Sequence, residues 1–150
     1  MSWPLLLSLS VVLAAPQGWQ LVVATGGGAG GRGKGGIELR STGELFVRPY
    51  VGAPCEFRVS AEEMARVREA VEAARPSSWR ARYVLASNPS GAGDQYATLL
   101  FLTAARGRIE EQWGTGWFDD ARKLAPMDAQ RLAATGLALM KSHACKPRRS

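Results

Sequence analysis

The 150-residue sequence has one histidine, His143, and it lacks the short motifs that mark common active sites and metal sites. It contains no HExxH, no G-x-S-x-G and no CxxC, which disfavours a zinc peptidase, an elbow-type serine hydrolase and a cysteine-rich metal site. Aromatic residues are few, at 8%, whereas 46% of the chain is hydrophobic and 21% is charged. This composition excludes a disordered chain, a collagen and a membrane protein with several spans. We predict a soluble domain with no catalytic residue, no cofactor and no metal.

The N-terminal region carries no charged side chain before Arg32. Its apolar run over 5–13 is followed by small residues, which is the pattern of a secretory signal peptide and its cleavage site. We predict a signal peptide over residues 1–15, with a second candidate cleavage site after Ala24. An uncleaved anchor is the alternative, but Pro16 and two glutamines interrupt it, and a span needs roughly 20 mostly apolar residues. The mature protein is therefore expected to be periplasmic or secreted, without stable membrane insertion.

Cys55 and Cys145 are the two cysteines of the chain. In an oxidising compartment an even pair of cysteines usually forms a disulfide, and we predict that these two are joined. Two independent buried thiols are the alternative. A metal site built on Cys145 and the nearby His143 is disfavoured, because no second histidine accompanies them.

The segment 26–36 holds 8 of the 17 glycines. Residues 28–33 match the G-x-G-x-x-G pattern of nucleotide sites, but β-like sequence follows, and a phosphate loop must open a helix. Gly35 also stands where a Walker loop needs serine or threonine. A flexible linker over residues 25–36 is the preferred interpretation. It is followed by one predicted domain over residues 37–145.

The net charge of +6 comes mainly from the predicted linker and from a basic tail over residues 146–150. These two segments hold 5 of the 19 cationic residues, and the remaining 14 nearly balance the 13 acidic ones. A nucleic-acid-binding domain normally has a basic face of its own, so we predict no nucleic-acid partner. Attachment to a polyanion or to the cell envelope through the basic ends is kept as an alternative function.

Sequence periodicity predicts an α+β domain, with an antiparallel sheet of about five strands and two helices in the order ββ-α-βββ-α. Ser60 and Glu63 form a capping box that starts the first helix, and Pro76 ends it. Pro126 begins the second helix, with Gly136 on its inner stripe. The predicted strands lie at residues 44–48, 55–59, 82–85, 96–103 and 109–113.

An aromatic segment over residues 113–118 follows the last predicted strand. Trp113, Trp117 and Phe118 surround two glycines there, and the preferred interpretation places Trp113 and one other ring in the core beneath the second helix. The alternative is a loop that contacts a partner protein, with Trp117 and Phe118 at least partly exposed. Asp119 and Asp120 follow this segment, and a hydrolase that uses scattered carboxylates remains a second alternative function.

The segments SAEEMARVREAVEAA, DQYATLLFL and IEEQW, followed by a helix after Pro126, occur in that order along the chain. In this layout residues 37–142 resemble emfourin-like protease inhibitors and related small bacterial proteins. The resemblance implies a noncatalytic domain that binds another exported protein, such as a protease. It assigns no inhibitory residue. The signal peptide and the two cysteines are departures from that layout.

Overall fold

The computed structural model describes residues 18–28 and 33–146. The signal peptide predicted over 1–15 and most of the basic tail lie outside these residues. In chain order the elements are β1 (Gly18–Gly27), β2 (Gly35–Arg40), β3 (Glu44–Pro49), β4 (Cys55–Arg58), α1 (Ala61–Ala73), a 3-10 turn (Pro76–Ser78), β5 (Tyr96–Arg106), β6 (Ile109–Phe118), a second 3-10 segment (Asp119–Leu124) and α2 (Met127–Ser142).

The six strands form one antiparallel sheet in the order β4-β3-β2-β1-β5-β6. The predicted α+β class is confirmed, with one strand more than expected and a different strand order. β1 lies inside the sheet, paired with β2 on one side and along its whole length with β5 on the other. Because β5 returns from beyond α1 to pair with β1, the second half of the chain completes a sheet that the first half begins.

Both ends of the segment predicted as a linker over residues 25–36 are paired strands, since residues 25–27 belong to β1 and residues 35–36 to β2. The segment closes the β1–β2 hairpin, and residues 29–32 lie outside the description. The hydroxyl of Thr25 donates to the Gly35 carbonyl at 2.7 Å and accepts the Lys34 N–H at 2.6 Å. The Gly33 N–H bonds to the Gly27 carbonyl at 2.9 Å. Strand β2 follows the glycines, in agreement with the argument against a phosphate loop.

Side-chain alternation divides the sheet into a core face and an outer face. On the core face every second residue of the inner strands is buried, as with Leu21 of β1, Leu39 of β2 and Leu100 of β5. Residues of α1 and α2 belong to the same buried cluster, represented by Val67 and Leu132. Both helices therefore pack on one face of the sheet, and in residues 18–28 and 33–146 no helix covers the other.

The helix ends follow from the sequence as predicted. The Ser60 hydroxyl accepts the Glu63 N–H at 3.1 Å, and the Glu63 carboxylate accepts the Ser60 N–H at 3.2 Å, which completes the capping box. Pro126 is the N-cap of α2, and Asp128 occupies its first turn. The carboxylate of Asp128 accepts the Arg75 N–H at 2.7 Å and the Trp79 indole N–H at 3.0 Å. These bonds fix the segment after α1 to the start of α2.

The strand predicted at residues 82–85 is not formed. Tyr83 makes a single parallel bridge to Trp117, in which the Tyr83 N–H bonds to the Gly116 carbonyl at 2.9 Å. The chain then folds back on itself, since Leu85 pairs with Asn88 in a tight turn. The run is too short to continue along the edge of β6 before this turn begins.

In the described part of the chain, no helix is both long and apolar enough to cross a membrane.

Candidate functional site

A disulfide joins Cys55, the first residue of β4, to Cys145, three residues beyond the end of α2. This confirms the predicted pairing. The Cα atoms are 5.7 Å apart, which is within the usual range for a disulfide. Cys55 and Phe57 alternate onto the core face, as predicted, while Glu56 and Arg58 point to solvent. The bridge therefore fastens the C-terminal end of the described chain to an edge strand of the sheet.

His143, two residues before Cys145, is partly buried. Its Nε2 lies 2.9 Å and 3.1 Å from the two carboxylate oxygens of Glu63, and its ring centroid is 5.1 Å from that of Phe57. Burial raises the pKa of Glu63, but the hydrogen bonds from His143 and Ser60 outweigh it, so that the pKa lies below its ordinary value of 4.5. The cluster holds the end of α2 against the start of α1.

The three aromatic residues considered as partner contacts do not lie together on a surface. The segment continues β6 rather than forming a loop, so its side chains alternate between the two faces. Trp117 is only 5% exposed and Trp113 packs on the same core, which contradicts the hypothesis that Trp117 is exposed and agrees with the preferred core position of two rings. Phe118 points to the outer face, where it packs against Gly91. Of the three residues, only Phe118 is placed near the outer surface.

The neighbouring carboxylates hold the connection between the 3-10 turn and β5 in place. Asp120 accepts side-chain N–H groups of Asn88 at 2.9 Å and Gln95 at 3.2 Å, and its own N–H bonds back to Gln95 at 2.9 Å. Asp119 accepts the backbone N–H of Tyr96 at 3.2 Å. Both groups thus have structural partners. Among the described residues, no three histidine, cysteine, aspartate or glutamate side chains are grouped as ligands for a metal ion.

The outer face of the sheet carries apolar side chains that no helix of the described chain covers. One row across the strands runs through Phe46 of β3, Glu38 of β2, Val22 of β1 and Phe101 of β5. The Phe101 side chain is 37% exposed, and Val22 and Phe46 are partly exposed. An antiparallel sheet usually presents polar residues to water on its open face. Val22, Phe46 and Phe101, which flank Glu38 in this row, make the outer face a candidate binding surface.

The two glycines between the tryptophans of β6 shape this surface. A Cβ at Gly114 would lie 2.8 Å from the ring of Phe101, and one at Gly116 would lie 2.9 Å from the Leu99 side chain. Such distances are closer than side-chain contacts allow, so both positions need glycine for Phe101 and Leu99 to lie flat over β6. The glycines that suggested a flexible loop in the sequence are thus packing sites.

A trough of about 400 Å³ lies on the outer face between β1, β2 and β3. It exists because the next row of the face consists of the small residues Ala24 and Gly36 beside Arg48. Phe46 forms one wall, and Tyr50 of the β3–β4 connection lines its end. The candidate site is this trough together with the connection Tyr50–Pro54, which we call the β3–β4 loop.

All five residues of the β3–β4 loop are exposed. Tyr50 is 53% and Val51 is 73% exposed, and they are two of the large exposed hydrophobic residues of the described chain. This site was not predicted from the sequence. Two signals were present in the sequence: the alternation of β1, which would have shown the outer face, and an apolar run between two prolines next to Cys55.

The fold and the site together define a disulfide-linked α+β domain with an open, partly apolar sheet face and an exposed apolar loop. Comparisons with protein-family models, with curated proteins and with solved structures give no match for this chain. The resemblance to emfourin-like inhibitors thus stays a prediction.

Proposed function

We propose that this protein is an exported, noncatalytic binding domain of the inhibitor type, which recognises another exported protein such as a protease. The observation that carries the proposal is the partly apolar outer face: Val22 and Phe46 line the trough, Phe101 pairs with Val22, and Tyr50 of the exposed β3–β4 loop also lines the trough. Tyr and Phe side chains at such a surface supply large contact areas at low entropic cost. The layout resemblance to emfourin-like inhibitors supports the same class.

Two observations support export. The Cys55–Cys145 disulfide is of a kind that persists in oxidising compartments. The sequence before β1 also has the pattern of a signal peptide. Cleavage after Ala24 would remove seven of the ten residues of β1, including the fully buried Leu21 and Val23. We therefore place the cleavage site near residue 15, and N-terminal sequencing of the exported protein should find Gly18–Ala24 retained.

The function is tested with the exported protein and a panel of purified exported endopeptidases of the serine and metallo classes. We expect the protein to inhibit at least one enzyme near equimolar ratio and to co-elute with it in gel filtration. A panel in which no enzyme is inhibited and none co-elutes would contradict the proposal.

A matched pair of variants tests whether the outer face takes part. The double variant Phe46→Ser, Phe101→Ser should weaken inhibition by about tenfold or more, since central apolar anchors each contribute on the order of 1 kcal/mol or more. Ile109→Ser is the control, because Ile109 is 64% exposed but lies at the far end of β6. Equal inhibition by the double variant and the control would show that the outer face does not contact the inhibited enzyme.

A further inference from the structure

We propose that the β3–β4 loop enters the active-site cleft of an endopeptidase, with Val51 occupying an apolar specificity pocket. This inference rests on the proposed function and deepens it by naming the contact residue and the class of partner. It follows from three properties of the loop, which are its exposure, the fixation of its two ends and its chemistry.

The loop projects from the domain. Residues 50–54 are all exposed, whereas the flanking strands are paired up to Pro49 on one side and from Cys55 on the other. Val51 is 73% exposed, and Gly52 next to it turns the chain with φ +105° and has no atom near its Cβ position. The Val51 side chain is thus free to enter a cavity in a partner.

Both ends of the loop are anchored in the sheet. On one side Pro49 is the last residue of β3 and pairs with Gly35 of β2. On the other side Cys55 is bonded to Cys145. Two prolines, at 49 and 54, further restrict the backbone. A loop that is ordered before it binds loses little conformational entropy on binding, which favours tight association.

The chemistry of the loop selects the partner. Its sequence, YVGAP, has no charged residue, so a cleft that binds it must accept apolar side chains. Specificity pockets of endopeptidases differ in this respect. Elastase has a small pocket, chymotrypsin has a hydrophobic slot, and trypsin has a pocket with an aspartate at its bottom. Valine fits the small apolar pocket. Tyr50 lines the trough and is better placed to support the loop than to enter the pocket.

The test measures inhibition constants of the exported protein against elastase, chymotrypsin and trypsin. We expect the wild-type protein to inhibit elastase at least about 30-fold more strongly than trypsin, the size of effect that one buried anchor residue provides. The variant Val51→Ser should lose that preference. Val51→Tyr should shift inhibition toward chymotrypsin, and Val51→Arg should shift it toward trypsin.

Controls separate this inference from the general function. Met127→Ser, at a residue that is 76% exposed at the start of α2, should leave all three constants unchanged. Urea unfolding should show that every variant is folded. Inhibition that does not follow residue 51, or rapid cleavage of the loop with full return of enzyme activity, overturns the inference. If other endopeptidases are inhibited but none of these three is, the inference fails and the function stands. If no endopeptidase is inhibited, both fail.

Discussion

Gly136 is a point of close approach between α2 and the sheet. A Cβ at this position would lie 2.7 Å from Cγ2 of Val23 and 3.4 Å from Cδ1 of Ile37. Val23 is fully buried, and a β-branched side chain has few alternative rotamers, so it has little room to move away. The missing side chain in α2 is what lets the helix lie directly over β1 and β2.

We therefore expect Gly136→Ala to destabilise the protein although alanine is the better helix former. Overpacking by one methyl costs roughly 2 kcal/mol, and the gain in helix propensity is about 1 kcal/mol, so the net loss is about 1 kcal/mol in urea unfolding. In a Val23→Ala background, where Cγ2 is removed, the same substitution should be neutral or stabilising. Ala134→Gly, at an exposed position of α2, measures the change in unfolding free energy that comes from helix propensity alone. A stabilised single variant would contradict this packing.

At the scale of the elements, the hydrogen-bonded contact between Glu63 and His143 connects the two helices. Since the pKa of Glu63 lies below its ordinary 4.5 in the folded protein, the unfolded chain binds the proton more tightly. The ionised carboxylate therefore stabilises the fold above the unfolded pKa, and this contribution is lost as the pH falls through the folded pKa.

At pH 7 the variant Glu63→Gln should be less stable than the wild type by about 1.5 kcal/mol, the low end of the range for hydrogen bonds to a charged group. Below about pH 4.5 the urea midpoints of the two proteins should converge. Glu62→Gln is the matched control, because Glu62 lies in the same helical turn but pairs only with the exposed Arg66. A difference between wild type and Glu63→Gln that is constant from pH 7 to pH 3 would show that ionisation of Glu63 does not stabilise the fold.

The elements differ in how well the sequence predicts them, and each failure has a physical cause. α1 was predicted because its capping box and apolar stripe are local signals. β1 was missed because its alternation follows an apolar signal-like run and ends in glycines, so that the same residues suggest a cleavage region and a linker. The predicted strand over 82–85 has strand-like residues, but its pairing depends on a distant edge that sequence periodicity does not report. The β3–β4 loop was missed because its exposure depends on the surrounding fold.

At the scale of the whole molecule, the disulfide closes a ring that contains more than half of the described chain. Cys55 and Cys145 are 90 residues apart, and the segment between them includes α1, β5, β6 and α2. β1, β2 and β3 lie outside the ring but supply much of the core face. A cross-link over so long a segment removes many conformations from the unfolded chain, and its effect is therefore on global stability.

We expect the double variant Cys55→Ser, Cys145→Ser to unfold with a free energy about 4.6 kcal/mol lower than the wild type, from the closure entropy of a loop of this length. Urea unfolding of the wild type with reductant should give the same loss, and reductant should leave the double variant unchanged. If the ends of the β3–β4 loop are held by the bridge, inhibition should also weaken under native conditions, because the loop then loses entropy on binding. A stability loss below about 1 kcal/mol would show that the unfolded chain stays compact without the bridge, so that the bridge removes few conformations from it. The core face would then determine the stability of the domain.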